Sequence, residues 1–360
     1  MKKIIVSVSN DISSDQRLNR ICSTLQNNGY NVLLIGRKLK NSKNLEQKSY
    51  QTKRFKLLFN SGILFYFCLN FRFFLFMLFS KFDCLLSNDL DTLLCNSLIS
   101  KIKRKKLYYD SHELFTEVPE LENKKWKKKI WSIIEKLCIK SAYKSYTVCL
   151  PIANFYNQKY GINMKVIRNL PIKKEFLIPY SNRENILIYQ GALNLERGIE
   201  IMIEAMCFLT DFKLIIAGKG DLENELKQQV LNLNLTTRVI FTGNLHFDEL
   251  HRYTTSAKLG FSIEQGKSLN YKYALPNKIF DYIQAETPVI CADLPEMRKI
   301  VENYNVGKVF SGNNPKDLAD LILNLCLNQN KLFEYSHNCR KAKTILNWEI
   351  EEKKLIEIYC

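Results

Sequence analysis

No Cys-x-x-Cys pair occurs among the eleven cysteines of this 360-residue chain. Instead the thiols are scattered through apolar stretches, as at Cys22, Cys68, Cys95, Cys138, Cys207, Cys291 and Cys326. That spacing excludes a small disulfide-stapled secreted domain and reads as buried thiols in a reducing compartment. The opening run MKKIIVSVSN is too short and too β-branched for the apolar part of a signal peptide, so no secretion and a cytoplasmic location are expected. There is no internal repeat of solenoid period and no low-complexity tract. Histidine is scarce, at four residues, and no Ser/His/Asp or Cys/His set suggests a covalent nucleophile. No recognisable nucleic-acid motif is present, and the basic runs lack regularly interleaved aromatics beyond Trp126 and Trp131. No nucleic-acid partner is expected.

What the chain has in quantity is length, apolar residues and positive charge. Its 360 residues are too many for one core and suit two domains, and 46% hydrophobic with 25% charged residues is ordinary globular composition. A net charge of +17 implies attraction to polyanions, whether phosphates, nucleic acid or an anionic membrane face. Much of it sits in the runs KIKRKK (101–106) and KKWKKK (124–129), which equally suit solvated helix ends.

Short β-rich runs alternate with helical patterns. Strands are expected at 3–9, 31–36, 84–87, 107–110 and 145–150, and again at 185–190, 213–217, 239–242, 259–262, 288–292 and 307–310. Strand, helix, strand in repetition means α/β architecture with two Rossmann-like, doubly wound parallel sheets. The expected domains are 1–170 and 184–342, joined by a Pro-containing linker at 171–183, with a C-terminal helix over 343–360 that packs back on the first domain. The segment 61–80, SGILFYFCLNFRFFLFMLFS, has Arg72 as its only charge. A membrane crossing there would split the first sheet. Two readings remain: a deeply buried helix, or one whose aromatic face also dips into a membrane interface, with Arg54, Lys56 and Lys81 near anionic lipid.

The sharpest chemical signal is the run YKYALPNKIFDYIQAETPVICA, 271–292, with 275–285 at its centre. A loop with Pro276 leads into a short helix whose N-terminus would open beside the carboxyl ends of parallel strands. Free backbone N–H groups and the helix dipole make that an anion site. Asn277 and Lys278 add side-chain donors suited to a diphosphate, and Asp281, one turn deeper on the same face, can accept from ribose hydroxyls. The alternative is an ordinary Asn-capped helix with a surface lysine. Nearby strands close on glycine turns at Gly191, Gly218 and Gly243, and Arg197 follows the first of them. Glycine lets a ligand approach the backbone, and arginine forks onto phosphate oxygens.

With these motifs the chain resembles, over nearly its whole length, the retaining glycosyltransferases of family 4 with GT-B fold, two domains facing across a cleft. The run Glu286-Thr287-Pro288-Val289-Ile290 resembles the family's strand after the donor motif, which places Asp281 on the second of its two acidic positions. The first acidic position falls on Tyr273, a departure, and Glu264 in the preceding loop is a candidate replacement. Pro276, Asn277, Lys278 and Asp281 resemble a subgroup with a Pro-x-Lys-x-x-Asp/Glu pattern. Arg197 matches one of the family's two diphosphate-binding basic positions; Ala192 stands at the other, and Lys278 is the compensating charge.

In the first half, the run YDSHELFTEVPEL resembles the family loop whose histidine faces the donor sugar, and His112 matches it. Asp15 and Arg17 either contact the acceptor or cap a helix. Asp89 and Asp91 open a helix after a strand, so complementarity to the helix dipole explains them better than a metal does. The resemblance implies no essential metal and no cofactor beyond the nucleoside-diphosphate sugar itself. It further implies transfer with retention to a glycan or lipid-linked acceptor of bacterial cell-surface polysaccharide synthesis, with peripheral contact to anionic membrane. An epimerase or phosphorylase on the same fold, or a non-catalytic nucleotide or polyanion binder, are the alternatives. The expected catalytic groups are His112, Arg197 and Lys278; the donor site adds Gly191, Gly218, Gly243, Glu264, Asn277 and Asp281.

Overall fold

The computed structural model of the protein describes residues 1–360 except 14, 43, 119, 120, 122, 123, 176 and 267. The chain divides into two compact units: Met1–Asn169 with Glu351–Cys360, and Leu170–Ile350.

The first unit is built on β1 (Lys2–Ser7), β2 (Tyr30–Lys38), β3 (Gln51–Lys56), β4 (Cys84–Asn88), β5 (Lys106–Ser111), β6 (Lys144–Thr147) and β7 (Met164–Val166). These pair in parallel in the order β3-β2-β1-β4-β5-β6-β7. The second unit pairs β8 (Ile186–Gln190), β9 (Lys213–Ala217), β10 (Val239–Gly243), β11 (Leu259–Ser262), β12 (Val289–Ala292) and β13 (Gly307–Phe310), also in parallel. Their order is β10-β9-β8-β11-β12-β13. Both sheets are covered on both faces, which explains why the central strands read as unbroken apolar runs. In β8, Leu187 and Tyr189 enter one core while Ile186 and Ile188 enter the opposite one. Winding reverses between β1 and β4 and between β8 and β11, so the crevice outside the carboxyl ends of those strands is where a ligand fits.

Two edge strands escape the sequence pattern. β3, QTKRFK, buries only Phe55 and carries three charged residues, and β7 is three residues long. A third expected strand is too long: β6 stops at Thr147, because the helix Leu150–Tyr160 starts with a proline in its first turn, where a missing N–H costs nothing.

The helix Gly62–Phe79 buries a single stripe, Phe65, Leu69, Phe73 and Met77. Deep burial of this segment is thus overturned: Phe67 is 65% exposed, Phe71 54% and Phe79 84%. Among the described residues no helix is long and apolar enough to cross a membrane. The thiols also need correction, since Cys207 is exposed and Cys68 and Cys326 are partly so, whereas Cys22, Cys95, Cys138 and Cys291 are buried; all are free.

The helix Trp348–Tyr359 returns the chain to the first unit. There the Tyr359 ring stacks 4.1 Å from that of Tyr108, and its carbonyl accepts a hydrogen bond of 2.8 Å from the Tyr30 hydroxyl.

Candidate nucleotide-sugar site

The turns that end β8 and β9 touch. The Gly191 N–H donates to the Ala217 carbonyl at 2.9 Å, and the Leu193 N–H to that of Lys219 at 3.1 Å. Gly218 has φ of 151°, and a Cβ built there would lie 1.8 Å from the Gly191 carbonyl oxygen. Only glycine closes this contact. Gly243, at the end of β10, adjoins the Lys219 side chain instead.

Across the reversal from β8, the loop after β11 carries Glu264, 2% exposed. Its Oε1 lies 2.8 Å from Lys278 Nζ and 3.7 Å from Arg197 Nη1, and its Oε2 accepts from the Ser262 hydroxyl at 2.8 Å. Burial pushes the Glu264 carboxyl upward, yet Lys278 and Arg197 more than offset it and hold it below its ordinary value. The Lys278 ammonium also sits 4.0 Å from the centre of the Tyr189 ring, and Arg197 lies 4.9 Å over Tyr271. Two cations facing one carboxylate leave an excess of positive charge. Arg197 Nε is buried without a hydrogen-bond partner among the described residues.

The helix Asn277–Gln284 starts beside this cluster. Its amphipathic spacing buries Ile279, Phe280, Tyr282 and Ile283, and the Tyr282 hydroxyl donates to the Phe261 carbonyl at 2.9 Å. Pro276 occupies the N-cap position, so Asn277 is not a cap: it is the first helical residue and is exposed. The N–H groups of Asn277 and Lys278 have no carbonyl within the helix to bond. One turn on, Asp281 accepts from the Gln190 amide at 2.8 Å, and Gln190 in turn accepts from the Thr254 hydroxyl at 3.0 Å. Gly191, Gly218, Arg197, Glu264, Lys278, Asn277 and Asp281 therefore belong to one end of one sheet. Tyr273, between the short helix Leu269–Lys272 and Pro276, is partly buried.

In the first unit, His112 follows β5. Its backbone N–H donates to Asp89 Oδ1 at 2.8 Å, Nδ1 lies 3.2 Å from Asp89 Oδ2, and Nε2 lies 3.1 Å from Asp110 Oδ2. Burial disfavours the imidazolium, but the two carboxylates outweigh it and raise His112 to about 9. Asp110 is gripped from its other side by Arg17, through Nε at 2.9 Å and Nη2 at 2.8 Å. Burial works against the charge of Asp110 as well; Arg17 and His112 nevertheless hold it at about 2. At neutral pH this is a cationic histidine between two carboxylates.

One expectation falls here. Arg17 is 3% exposed and committed to Asp110, so it is not an acceptor contact, whereas Asp15 caps the helix Gln16–Asn27 by accepting from the Leu18 N–H at 3.0 Å. Asp89 stands at the N-cap of the helix Leu90–Lys103, with Asp91 in its first turn, as dipole complementarity requires; Asp89 has φ of 57°, makes no capping bond and also holds His112 through its carboxylate. Asp91 accepts from the Ser9 hydroxyl, and burial followed by repulsion from Asp89 pushes it up to about 7.

Gln190, Tyr189 and Tyr271 were missed. Gln190 was legible in part, since it is a buried polar residue directly before the glycine turn; the two tyrosines meet their cations through tertiary folding, which no sequence spacing announces.

Residues 173–344 match the model of the family described as glycosyl transferases group 1. A curated relative, the alpha-monoglucosyldiacylglycerol synthase of Streptococcus pneumoniae, is 25% identical over 173 residues, which cover 45% of this chain and 37% of the relative. The chain thus matches well under two thirds of that relative's length. Among solved structures, the sucrose-phosphate synthase of Thermosynechococcus elongatus superposes with a TM-score of 0.80 at 16% identity, covering 100% of this chain and 98% of the other. HepE of Anabaena, solved in complex with UDP and glucose, gives 0.77 at 17% identity with 99% coverage of both chains. The fold is that of the GT-B glycosyltransferases, two parallel-sheet α/β domains, and the group 1 family is supported by the match over the second unit.

Proposed function

We propose that the protein is a glycosyltransferase that moves a sugar from a nucleoside-diphosphate sugar to an acceptor hydroxyl. The observation that carries this reading is the Glu264, Lys278 and Arg197 cluster at the strand reversal, set beside the helix start at Asn277 and the glycine contact of Gly191 with Gly218. A surplus cation, two free helical N–H groups and close backbone approach suit a diphosphate. Asp281, fixed by Gln190, is assigned to the ribose hydroxyls. The UDP in the HepE complex and the group 1 match over residues 173–344 support the same assignment.

In the proposed step the bond from the anomeric carbon to the diphosphate oxygen breaks and a bond to the acceptor oxygen forms. The acceptor proton passes to the departing diphosphate, whose charge Arg197 and Lys278 stabilise. Front-face attack of this kind gives retention and needs no enzyme nucleophile. Protonated His112, whose two ring N–H groups already face Asp89 and Asp110, is assigned the role of a fixed positive charge rather than a base. The unit that carries it is assigned the acceptor. A glycan or lipid-linked intermediate of cell-surface polysaccharide synthesis is the proposed acceptor class, with no essential metal and with peripheral contact to an anionic cytoplasmic membrane face.

Release of UDP or GDP from a panel of nucleotide sugars, with and without a lipid-linked acceptor, tests the reading. One donor should bind and turn over. If every donor fails to bind, the transferase reading is wrong, and a free interconverted nucleotide sugar identifies an epimerase.

A further inference from the structure

Helices Gly62–Phe79, Leu90–Lys103 and Lys125–Cys138 enclose a groove of about 470 Å³ within the first unit. Its volume is in the range of ordinary small-molecule sites. The walls are apolar and partly open to solvent: Phe67 is 65% exposed, Phe71 54%, Trp126 54%, Ile130 46% and Leu98 45%. Phe67 and Phe71 lie one turn apart with ring planes 6° from parallel, presenting one flat aromatic wall.

Part of the small polar lining is already engaged. The Asn70 amide donates to the carbonyls of Tyr66 and Asp91 at 2.9 and 2.8 Å and accepts from the Cys95 N–H at 3.3 Å. Asp91 Oδ2 takes the Ser9 hydroxyl, while its Oδ1 is buried without a hydrogen-bond partner among the described residues. A polar ligand would therefore find few hydrogen-bonding groups here, whereas methylene groups lose nothing by entering.

Charge identifies the occupant. Lys127 lines the groove, and Lys124, Lys125 and Lys129 stand exposed around the start of the helix that forms its wall. That helix has no acidic residue in its first turn, so its positive dipole end adds to the lysines. Lysine is depleted from the cores of protein interfaces, while lysines beside exposed aromatics are the signature of an interfacial surface on anionic lipid.

We propose that this groove binds the hydrocarbon chain of an anionic lipid, with the lipid phosphate held by the lysines at the start of helix Lys125–Cys138. The proposal deepens the peripheral-membrane part of the functional reading and rests on it; it does not rest on the sugar-transfer step.

The test uses the whole protein and vesicles of phosphatidylcholine alone or with about 30% phosphatidylglycerol. The protein should sediment with the anionic vesicles at low salt and not with the neutral ones. Lipids brominated along the chain should quench its tryptophan fluorescence, and most of that quenching should disappear when the two tryptophans of the lining are replaced together, in Trp126→Phe with Trp131→Phe. Phe67→Ser with Phe71→Ser, and separately Lys125→Glu with Lys129→Glu, should each weaken vesicle binding by at least about tenfold. All four sites are exposed, and nucleotide binding should be unchanged in both double variants. Absence of vesicle binding, binding without chain quenching, unaltered binding by the phenylalanine variant, or self-association of the protein through this face would each overturn the proposal. None of these outcomes bears on donor turnover, so the two readings fail separately.

Discussion

The Lys278 ammonium lies 2.8 Å from the Glu264 carboxylate, with both groups almost wholly removed from solvent. A pair so placed is stabilising only while both members are present. Its arrangement on the loop after β11 and on the helix after Pro276 ties the stability of the second unit to the charge that a diphosphate would meet.

Lys278→Met leaves Glu264 with Arg197 at 3.7 Å as its remaining cation. The expected cost is about 3 kcal/mol of unfolding free energy, seen in denaturant titration, together with loss of nucleoside-diphosphate binding in calorimetry. Adding Glu264→Gln should restore much of the stability without restoring the binding. Recovery of both would show that Lys278 is structural only.

His112 makes stability depend on pH in an unusual direction. Its folded value of about 9 stands above the ordinary 6.5, so its contribution is complete below about 6.5 and is lost as pH rises through about 9. Melting curves should show that loss in the natural protein and not in His112→Gln. The imidazole resonance should titrate near the same pH, and turnover should decline with it if the role of fixed positive charge is correct.

Arg17→Met removes the bidentate partner of buried Asp110 and should cost about 3 kcal/mol or more. Asp110 is depressed to about 2, so its contribution is present above the usual 3.8 and disappears as pH falls through the folded value. Acid unfolding of the variant should accordingly begin at a higher pH. His112 should titrate later, because the Arg17 charge opposes its protonation.

Gly218→Ala would place a methyl 1.8 Å from the Gly191 carbonyl oxygen, at a φ of 151° that side chains avoid. One of the two turns must move. The expected result is a loss of about 2 kcal/mol or more, with weaker nucleotide binding, and it should exceed the effect of alanine at Gly243, where the neighbour is the flexible Lys219 side chain.

Much of the fold was legible because a parallel sheet covered on both faces writes itself as apolar runs: β9, β11 and β13 have the boundaries their sequences suggest. What escaped was the edge. β3 carries Lys53, Arg54 and Lys56 on a strand with one neighbour, where charge is tolerated and periodicity fades. The donor-side cluster was readable as a set of loops at strand ends. Its internal wiring was not, because the contact of Glu264 with Lys278 joins residues fourteen positions apart through tertiary folding. His112 was found from its loop; Asp110, which it meets, stands two residues earlier near the end of β5. The clamp of Asp89 depends on the pairing of β4 with β5, which the sequence does not state.

Tyr359, laid against Tyr108 and bonded to Tyr30, also sets an order of events during synthesis. The first unit begins to emerge from the ribosome with β1, yet its sheet lacks this aromatic cover until residues beyond 350 have been made. The second unit, continuous from Leu170 to Ile350, is complete earlier in that sense and can close its core while the first still waits for its last helix. An interrupted chain that stops within Glu351–Cys360 should therefore yield a formed second unit attached to an unfinished first one. The strip Glu351–Cys360, made after the whole of the second unit, acts as a late checkpoint on the unit whose sheet was started earlier.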